Sequence, residues 1–222
     1  MLLLNNRQRI EKENSMTNKP MIALSFDDGP NLEITPLVLD ILEEYHIPAS
    51  FFVIGNNIND TTIPVMKRAV SLGCDIENHT ISHKFMNQLS VEEIKYEVET
   101  LDEKITEIIG KKPQFFRPPF IAVKDEMYDN IKLPFICGIG CNDWMIETSV
   151  EERIETVLKE ARDGVIYLLH DMLNNMNTVN AMKVFVPKLL ERGFEFVTVA
   201  QLFTAKGVDI NNPERKLYSV VE

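Results

Sequence analysis

Residues 21–30 read MIALSFDDGP, an apolar run rich in β-forming residues that ends in two adjacent aspartates and a turn. Because the closing Gly-Pro favours a turn, the run predicts a strand over 21–26 with Asp27 and Asp28 at its carboxyl end. Successive side chains of a strand point to opposite faces, so the two carboxylates are expected to point apart and to serve different purposes. Taken alone, an Asp-Asp-Gly-Pro run is more typical of a simple turn or helix cap.

On both sides of this run, short apolar stretches alternate with amphipathic helical ones, which indicates repeated βα units and a mainly parallel sheet. The predicted strands are 21–26, 49–54, 74–77, 114–117, 134–139, 164–169 and 194–198. The predicted helices are 34–45, 62–72, 90–109, 150–161, 179–191 and 199–205. Ser90 predicts a capping box at the start of the third helix and Gly110 its end. Seven strands predict an α/β fold, a distorted (β/α) barrel rather than a complete eight-stranded one.

The chain has 222 residues, 45% hydrophobic and 26% charged, as expected for an ordinary globular protein. The polar residues 1–18 are expected to form a flexible N-terminal segment, and 19–222 a single domain. A net charge of -11 disfavours nucleic acid as a partner, because that binding needs a clustered basic surface. No apolar stretch reaches membrane-spanning length and the N-terminus lacks the order of a secretion signal, so we expect a cytoplasmic protein without a membrane partner.

The residues best suited to chemistry follow a common rule of position. In parallel α/β folds the working side chains gather at the carboxyl ends of the strands. Seven polar residues end or follow five of the predicted strands: Asp27, Asp28, His79, His83, Arg117, Asp143 and His170. They are therefore predicted to meet at one face of the barrel.

The segment 78–83, NHTISH, contains two histidines four residues apart. On a helical turn this spacing places both imidazoles on one face, where they can share one ion. With Asp28 as a third ligand, His79 and His83 would form a two-histidine, one-carboxylate set with open positions for water and substrate. The spacing alone fits a solvated helix face equally well.

Three further residues suit acid-base chemistry. Arg117 precedes two prolines that stiffen the backbone, and it is either a surface arginine or the partner of a carboxylate. His170 ends an apolar strand, where a histidine is usually structural but can transfer protons when an aspartate lies nearby. Asp143 precedes Trp144, the only tryptophan of the chain, which belongs either to the core or to the wall of a binding site.

Together, five ordered segments resemble the polysaccharide deacetylase family, also called carbohydrate esterase family 4 or the NodB-homology domain. The segments are 25–30, 78–83, 117–120, 142–144 and 165–171, and the run 47–55 resembles the second strand of the family. The resemblance covers roughly residues 20–205. It implies a distorted (β/α) barrel and a metal-dependent hydrolase that removes acetyl groups from N- or O-acetylated saccharides.

The resemblance implies a metal site and a base. Asp28, His79 and His83 would bind a divalent metal, with Zn²⁺ as the default and Co²⁺, Mn²⁺ or Ni²⁺ as alternatives. Asp27 would be the general base that activates water at the metal, and Arg117 would pair with it.

The resemblance also implies an acid and an acetyl pocket. His170 would be the general acid, and Asp143 would tune it. The backbone N–H of Phe120 would stabilise the oxyanion, while Trp144 and Leu168 would shape the pocket for the acetyl methyl group.

Two positions depart from the family pattern. Ile121 stands where the family often has a glycine, which predicts a bulkier loop and a narrower groove, and Gly140 stands where an aspartate is frequent. The substrate therefore stays open among chitooligosaccharides, peptidoglycan and acetylated xylan. Two other functions also stay open: an amidase for a small non-sugar amide or imide, and a carbohydrate-binding relative without activity.

Overall fold

The computed structural model describes residues 19–214 and 216–222, so the predicted flexible segment 1–18 lies outside the described residues. The strands are β1 Met21–Asp27, β2 Ser50–Val53, β3 Asp75–Asn78, β4 Phe135–Ile136, β5 Ile139–Gly140, β6 Ile166–His170, β7 Glu195–Val197 and β8 Leu217–Tyr218. The helices are α1 Thr35–Tyr45, α2 Ile63–Ser71, α3 Val91–Ile109, α4 Asp125–Asn130, α5 Val150–Glu160, α6 Met176–Glu191 and α7 Val199–Ala205. All six predicted helices are present.

β1 is the central strand of the main sheet because it has neighbours along both edges. β6 pairs with it from Ala23 to Asp27, while on the other edge β7 pairs with its first half and β2 with its second half. The strand order is β3-β2-β1-β6-β5, and all these pairings are parallel. The register sets Asp27 opposite His170, so the carboxyl ends of β1 and β6 lie side by side.

Successive side chains of β1 point to opposite sides of the sheet. Leu24 and Phe26 belong to the main core, which packs between the sheet and the helices. Ala23 belongs to a second cluster inside the barrel, and the following odd-numbered residues, Ser25 and Asp27, both bind one buried side chain there. The apolar alternation therefore places the strand-end carboxylate of β1 on the interior side.

The barrel closes through residues 134–140, which the sequence predicts to contain one strand. That strand is broken in two around Gly138, because β4 pairs with β8 and β5 pairs with β6. Gly138 has φ 97°, and a Cβ there would lie 2.9 Å from the Cβ of Leu168. Only glycine tolerates both the conformation and the approach. The distorted (β/α) barrel of mainly parallel strands is confirmed.

The predicted strand over 114–117 is wrong in detail, because this segment forms only isolated single-residue bridges. The buried carboxylate of Glu77 on β3 explains the difference. It accepts hydrogen bonds from the N–H groups of Gln114 at 2.7 Å and Phe115 at 2.9 Å. A side chain thus takes donors that a regular ladder would use.

The helix ends follow the local signals of the sequence. Ser90 and Glu93 form the predicted capping box of α3, and Gly110 ends that helix in the left-handed conformation with φ 79°. The same box opens α5 at Ser149, although it was not predicted. Within the described residues, none of the helices has the length and apolar character needed to cross a bilayer.

Candidate active site

Two adjacent carboxylates lie at the carboxyl end of β1. Asp27 completes the strand, whereas Asp28 adopts a left-handed backbone with φ 74°, which is uncommon outside glycine. This turn brings both carboxylates to the same cavity, so the expectation that they point apart is wrong. The next residue, Gly29, lies so close to Asp171 that a Cβ at this position would be 2.4 Å from a carboxylate oxygen, so a larger residue does not fit.

Asp28, His79 and His83 form a cluster whose candidate ligand atoms all lie within 4.8 Å of one another. Asp28 Oδ1 lies 3.5 Å from His79 Nε2 and 3.3 Å from His83 Nε2. Among the described residues this buried oxygen has no hydrogen-bond partner, which is costly for a carboxylate. A divalent cation between the three side chains would satisfy it, and two imidazoles with one carboxylate are a common donor set for such ions.

The protonation states of the cluster also suit a cation. Burial raises the pKa of Asp28, but the contact with His79 and the nearby imidazoles outweigh it and leave the pKa below its usual range. Burial, together with the neighbouring His79, lowers the pKa of His83. An ionised carboxylate and a neutral imidazole are the forms that bind metals.

The two histidines lie on a loop after β3, and the predicted helical turn is wrong. Thr80 and His83 both have left-handed backbones, with φ 68° and 55°, and these bring the two rings to a centroid distance of 4.9 Å. His79 Nδ1 lies 2.7 Å from the carbonyl oxygen of Arg117. Donation from Nδ1 to this oxygen leaves Nε2 without a proton, so its lone pair can bind a cation together with Asp28 and His83.

Glu97 on α3 anchors this loop, and the sequence did not single it out. It is 1% exposed, and its carboxylate accepts hydrogen bonds from both the N–H and the hydroxyl of Ser82, the residue before His83. The signal in the sequence was weak, because an acidic residue in a highly charged helix is usually solvated.

Asp27 pairs with Arg117, which is fully buried. The guanidinium donates to Asp27 Oδ1 and, over 2.7 Å, to the hydroxyl of Ser25, and it lies 4.1 Å from the ring centroid of Phe52. Asp27 Oδ2 lies 3.6 Å from His79 Nε2. One oxygen of Asp27 is thus held by the arginine, while the other faces His79 of the three-residue cluster.

His170 at the end of β6 also lines the cavity and is held by Asp143. The carboxylate accepts from the backbone N–H of His170 at 2.7 Å and contacts its Nδ1 at 2.8 Å, and the hydroxyl of Thr178 donates to it at 2.8 Å. Burial lowers the pKa of His170, but the hydrogen bond and charge of Asp143, with Asp27 and Asp28 beyond, raise it to about 9. The ring is therefore an imidazolium at neutral pH.

The cavity has a volume of about 400 Å³ and brings together most of the predicted residues. It is lined by Asp27, Asp28, His79, His83, Pro118, Phe120, Ile121, Trp144, Leu168 and His170. Arg117 and Asp143 lie behind it, each in contact with a lining residue. The structure therefore assembles all ten residues that the sequence singled out for a role.

One wall of the cavity is aromatic and open to solvent. Phe120 and Trp144 are 54% and 57% exposed. Phe120 stacks on Phe85 with ring centroids 3.9 Å apart and touches the ring of His83 edge-on at 4.7 Å. Phe120 and Ile121 both have left-handed backbones, a conformation that strains the β-branched Ile121.

The family model described as Polysaccharide deacetylase matches residues 14–133, more than half of the chain. The chain belongs to the polysaccharide deacetylase family. A bifunctional xylanase/deacetylase of Pseudobutyrivibrio xylanivorans is 42% identical over 205 residues, covering 92% of this chain. The chain spans only 34% of the length of that relative.

Two solved structures of the family share the fold over most of this chain. The CE4 domain of a multidomain xylanase from the hindgut metagenome of Trinervitermes trinervoides is 44% identical, with a TM-score of 0.89 and coverage of 92% of this chain and 98% of that one. A family 4 acetyl xylan esterase of Clostridium thermocellum, in complex with cobalt, is 38% identical, with a TM-score of 0.87 and coverage of 90% and 98%. Family members named as peptidoglycan or chitooligosaccharide deacetylases match at 30–34% identity.

Proposed function

We propose that this chain is a metal-dependent deacetylase of acetylated saccharides, with acetylated xylan as the preferred class. The observation that carries the proposal is one cavity that contains the Asp28–His79–His83 cluster, the carboxylate of Asp27 held by Arg117, and the imidazolium of His170 held by Asp143. Hydrolysis of an acetyl group needs a base for water and an acid for the leaving atom.

Each residue has a distinct part in this reaction. Asp28, His79 and His83 would hold a divalent cation, which would supply the Lewis acidity that polarises an acetyl carbonyl and acidifies water. Asp27 accepts the proton of the attacking water through Oδ2, since Arg117 occupies Oδ1 and holds the carboxylate in place.

The remaining groups handle the charge and the leaving atom. His170 donates its proton to the sugar oxygen or nitrogen, and Asp143 keeps that ring protonated and oriented. Leu168 and Trp144 lie on the wall that would face the acetyl methyl group. The N–H groups of Ile121 and Ala122 donate to the carbonyls of Pro118 and Pro119 within their turn. The N–H of Phe120 has no acceptor among residues 19–214 and 216–222, and it is the donor that we assign to the oxyanion.

The open aromatic wall supports a saccharide over a small amide or imide. A small compound is best held by a pocket closed on every side, whereas more than half the surface of Phe120 and Trp144 faces solvent. Xylan is preferred within the sugars because the relatives of 38–44% identity are named as xylan-related, while those named for peptidoglycan or chitooligosaccharides reach 34% or less.

The identity of the metal follows less directly from the site. Imidazole and carboxylate ligands accept Zn²⁺, Co²⁺, Mn²⁺ and Ni²⁺, and affinity order alone does not decide which is bound in cells. We propose Zn²⁺ as the native ion, and Co²⁺ as an effective substitute, since a relative was solved with cobalt.

Acetate release tests the proposal. The protein, stripped with chelator and reloaded with Zn²⁺ or Co²⁺, is incubated with acetylated xylo-oligosaccharides, N-acetylated chito-oligosaccharides, peptidoglycan fragments and small cyclic imides. We expect metal-dependent acetate release, fastest from the xylo-oligosaccharides. Ring opening of the imides without acetate release would favour the amidase, and binding without turnover on the whole panel would favour the non-catalytic relative.

Asp143→Asn is expected to move the alkaline limb of the pH profile to lower pH. The pKa of His170 is raised to about 9 with the help of the Asp143 carboxylate, so a neutral amide lets it fall towards 6.5. Because the acid must be protonated, the loss of kcat/KM on raising the pH should then begin at a lower pH than in the wild type. A bound cation would lower the pKa of His170 further by repulsion. The profile is measured from pH 5 to 10 with Asp40→Asn as the control, since Asp40 is exposed and pairs with Arg68. An unchanged alkaline limb contradicts the assigned roles.

A further inference from the structure

Arg153 on α5 is a buried cation whose position calls for an explanation. It is 1% exposed and shares the inward face of its helix with Val157. Buried arginines are normally paired with a carboxylate, because an uncompensated buried charge is costly. Among the described residues, Arg153 forms no salt bridge within 4.0 Å and binds four neutral acceptors instead.

Two of these acceptors belong to the loop 144–148, which begins at Trp144. The guanidinium donates through Nη2 to the carbonyl of Met145 at 3.0 Å and through Nε to the carbonyl of Thr148 at 3.1 Å. The loop 144–148 carries the exposed side chain of Trp144 on the cavity wall. Arg153 thus ties both ends of this loop to α5.

The other two acceptors lead to the candidate acid. Nη1 of Arg153 donates to Asn175 Oδ1 at 2.6 Å and to Thr178 Oγ1 at 2.7 Å. Since the hydroxyl of Thr178 accepts there, its own proton is free to donate to Asp143 at 2.8 Å. Asn175 Nδ2 donates to the carbonyl of His170 at 2.8 Å. Each bridging side chain therefore joins the arginine to one member of the Asp143–His170 pair.

We propose that Arg153 is a positioning residue. It fixes the position of the Trp144 loop on the cavity wall relative to the acid pair Asp143–His170. The proposal rests on the proposed deacetylase function and deepens it. The planar guanidinium is suited to this work, because its fixed donors can reach two loop carbonyls and two side chains at once. A lysine keeps the charge but cannot hold all four acceptors in that geometry.

Arg153→Lys tests the link to the loop, and the only tryptophan of the chain reports on it. In the metal-free protein we expect a shifted Trp144 emission and stronger acrylamide quenching. In the metal-loaded enzyme kcat/KM should fall by about 10- to 100-fold, as expected when a group is misplaced by about 1 Å. The matched control is Arg192→Lys, whose exposed guanidinium also binds a carbonyl of α5, that of Leu158.

Thr178→Val tests the link to the acid, and remains informative if Arg153→Lys does not fold. It removes the hydroxyl between Arg153 and Asp143 with little change in volume, so kcat should fall about 10-fold while KM and Trp144 emission stay unchanged. The control is Thr106→Val, whose hydroxyl binds only a carbonyl of its own helix.

Unchanged tryptophan emission, quenching and kcat/KM in Arg153→Lys would overturn the proposal, and so would an unchanged kcat in Thr178→Val. If the wild-type protein releases no acetate, the deacetylase proposal fails by itself. The tryptophan arm of the Arg153→Lys experiment still decides whether the arginine holds the loop.

Discussion

Asp27→Asn is expected to lower kcat by about 10²- to 10⁴-fold while the protein keeps its metal. This is the range for loss of a general base, and the amide has no basic oxygen to accept the proton of water. The three candidate ligands are untouched, so metal content after dialysis, measured by elemental analysis, should match the wild type.

The same substitution should also destabilise the protein. It leaves the fully buried Arg117 without its counter-charge, and breaking a buried pair from one side costs about 3–5 kcal/mol. Kinetics are therefore measured well below the melting temperature of the variant. The control is Asp163→Asn, which changes a surface aspartate that binds the N–H of Met21 at the other end of β1. Full activity of Asp27→Asn would refute the assignment of the base.

His79→Ala should abolish metal-dependent activity by the opposite route, through loss of the ion. It removes one of three candidate ligands, and even loss of a supporting residue behind a ligand lowers metal affinity by about 10- to 100-fold. We expect a larger loss, visible in chelator competition and in metal content after dialysis. Addition of excess Zn²⁺ should restore at most a small part of the activity.

A matched histidine is available for this experiment. His46 is exposed and lies just after α1 in a left-handed conformation that asparagine also tolerates, so His46→Asn should keep both metal and activity. One equivalent of tightly bound metal in His79→Ala would show that the cluster is not the metal site. Together, Asp27→Asn and His79→Ala separate the loss of a base from the loss of a metal.

Much of the fold and the site could be predicted because the signals are local. The alternation of apolar runs and amphipathic stretches was enough for all six predicted helices, and the capping box at Ser90 set the start of α3. Strand ends in a parallel sheet meet at one edge, so Asp27 and His170 could be placed together before any contact was known.

The prediction failed where the backbone leaves regular geometry. Left-handed conformations at Asp28, Thr80 and His83 turn the ligands towards one another, and nothing in these residue types requires that conformation. The two histidines were therefore correctly predicted to lie close together, but a helical turn is not what brings them together. Glu97 and Arg153 escaped notice because charged residues in polar helices are usually solvated.

The sequence by itself determined the order of the six predicted helices, the mainly parallel sheet and the chemical types present at its carboxyl edge. It did so because periodicity, caps and turns act over a few neighbouring residues. Only the tertiary structure decided that Asp27 and Asp28 share one cavity and that the strand around Gly138 breaks to close the barrel. It also decided the contacts by which Arg117 holds Asp27, 90 residues away, and Asp143 holds His170, 27 residues away, two pairings that the family resemblance had implied. Contacts over such separations depend on how the whole chain packs, and no local pattern specifies them.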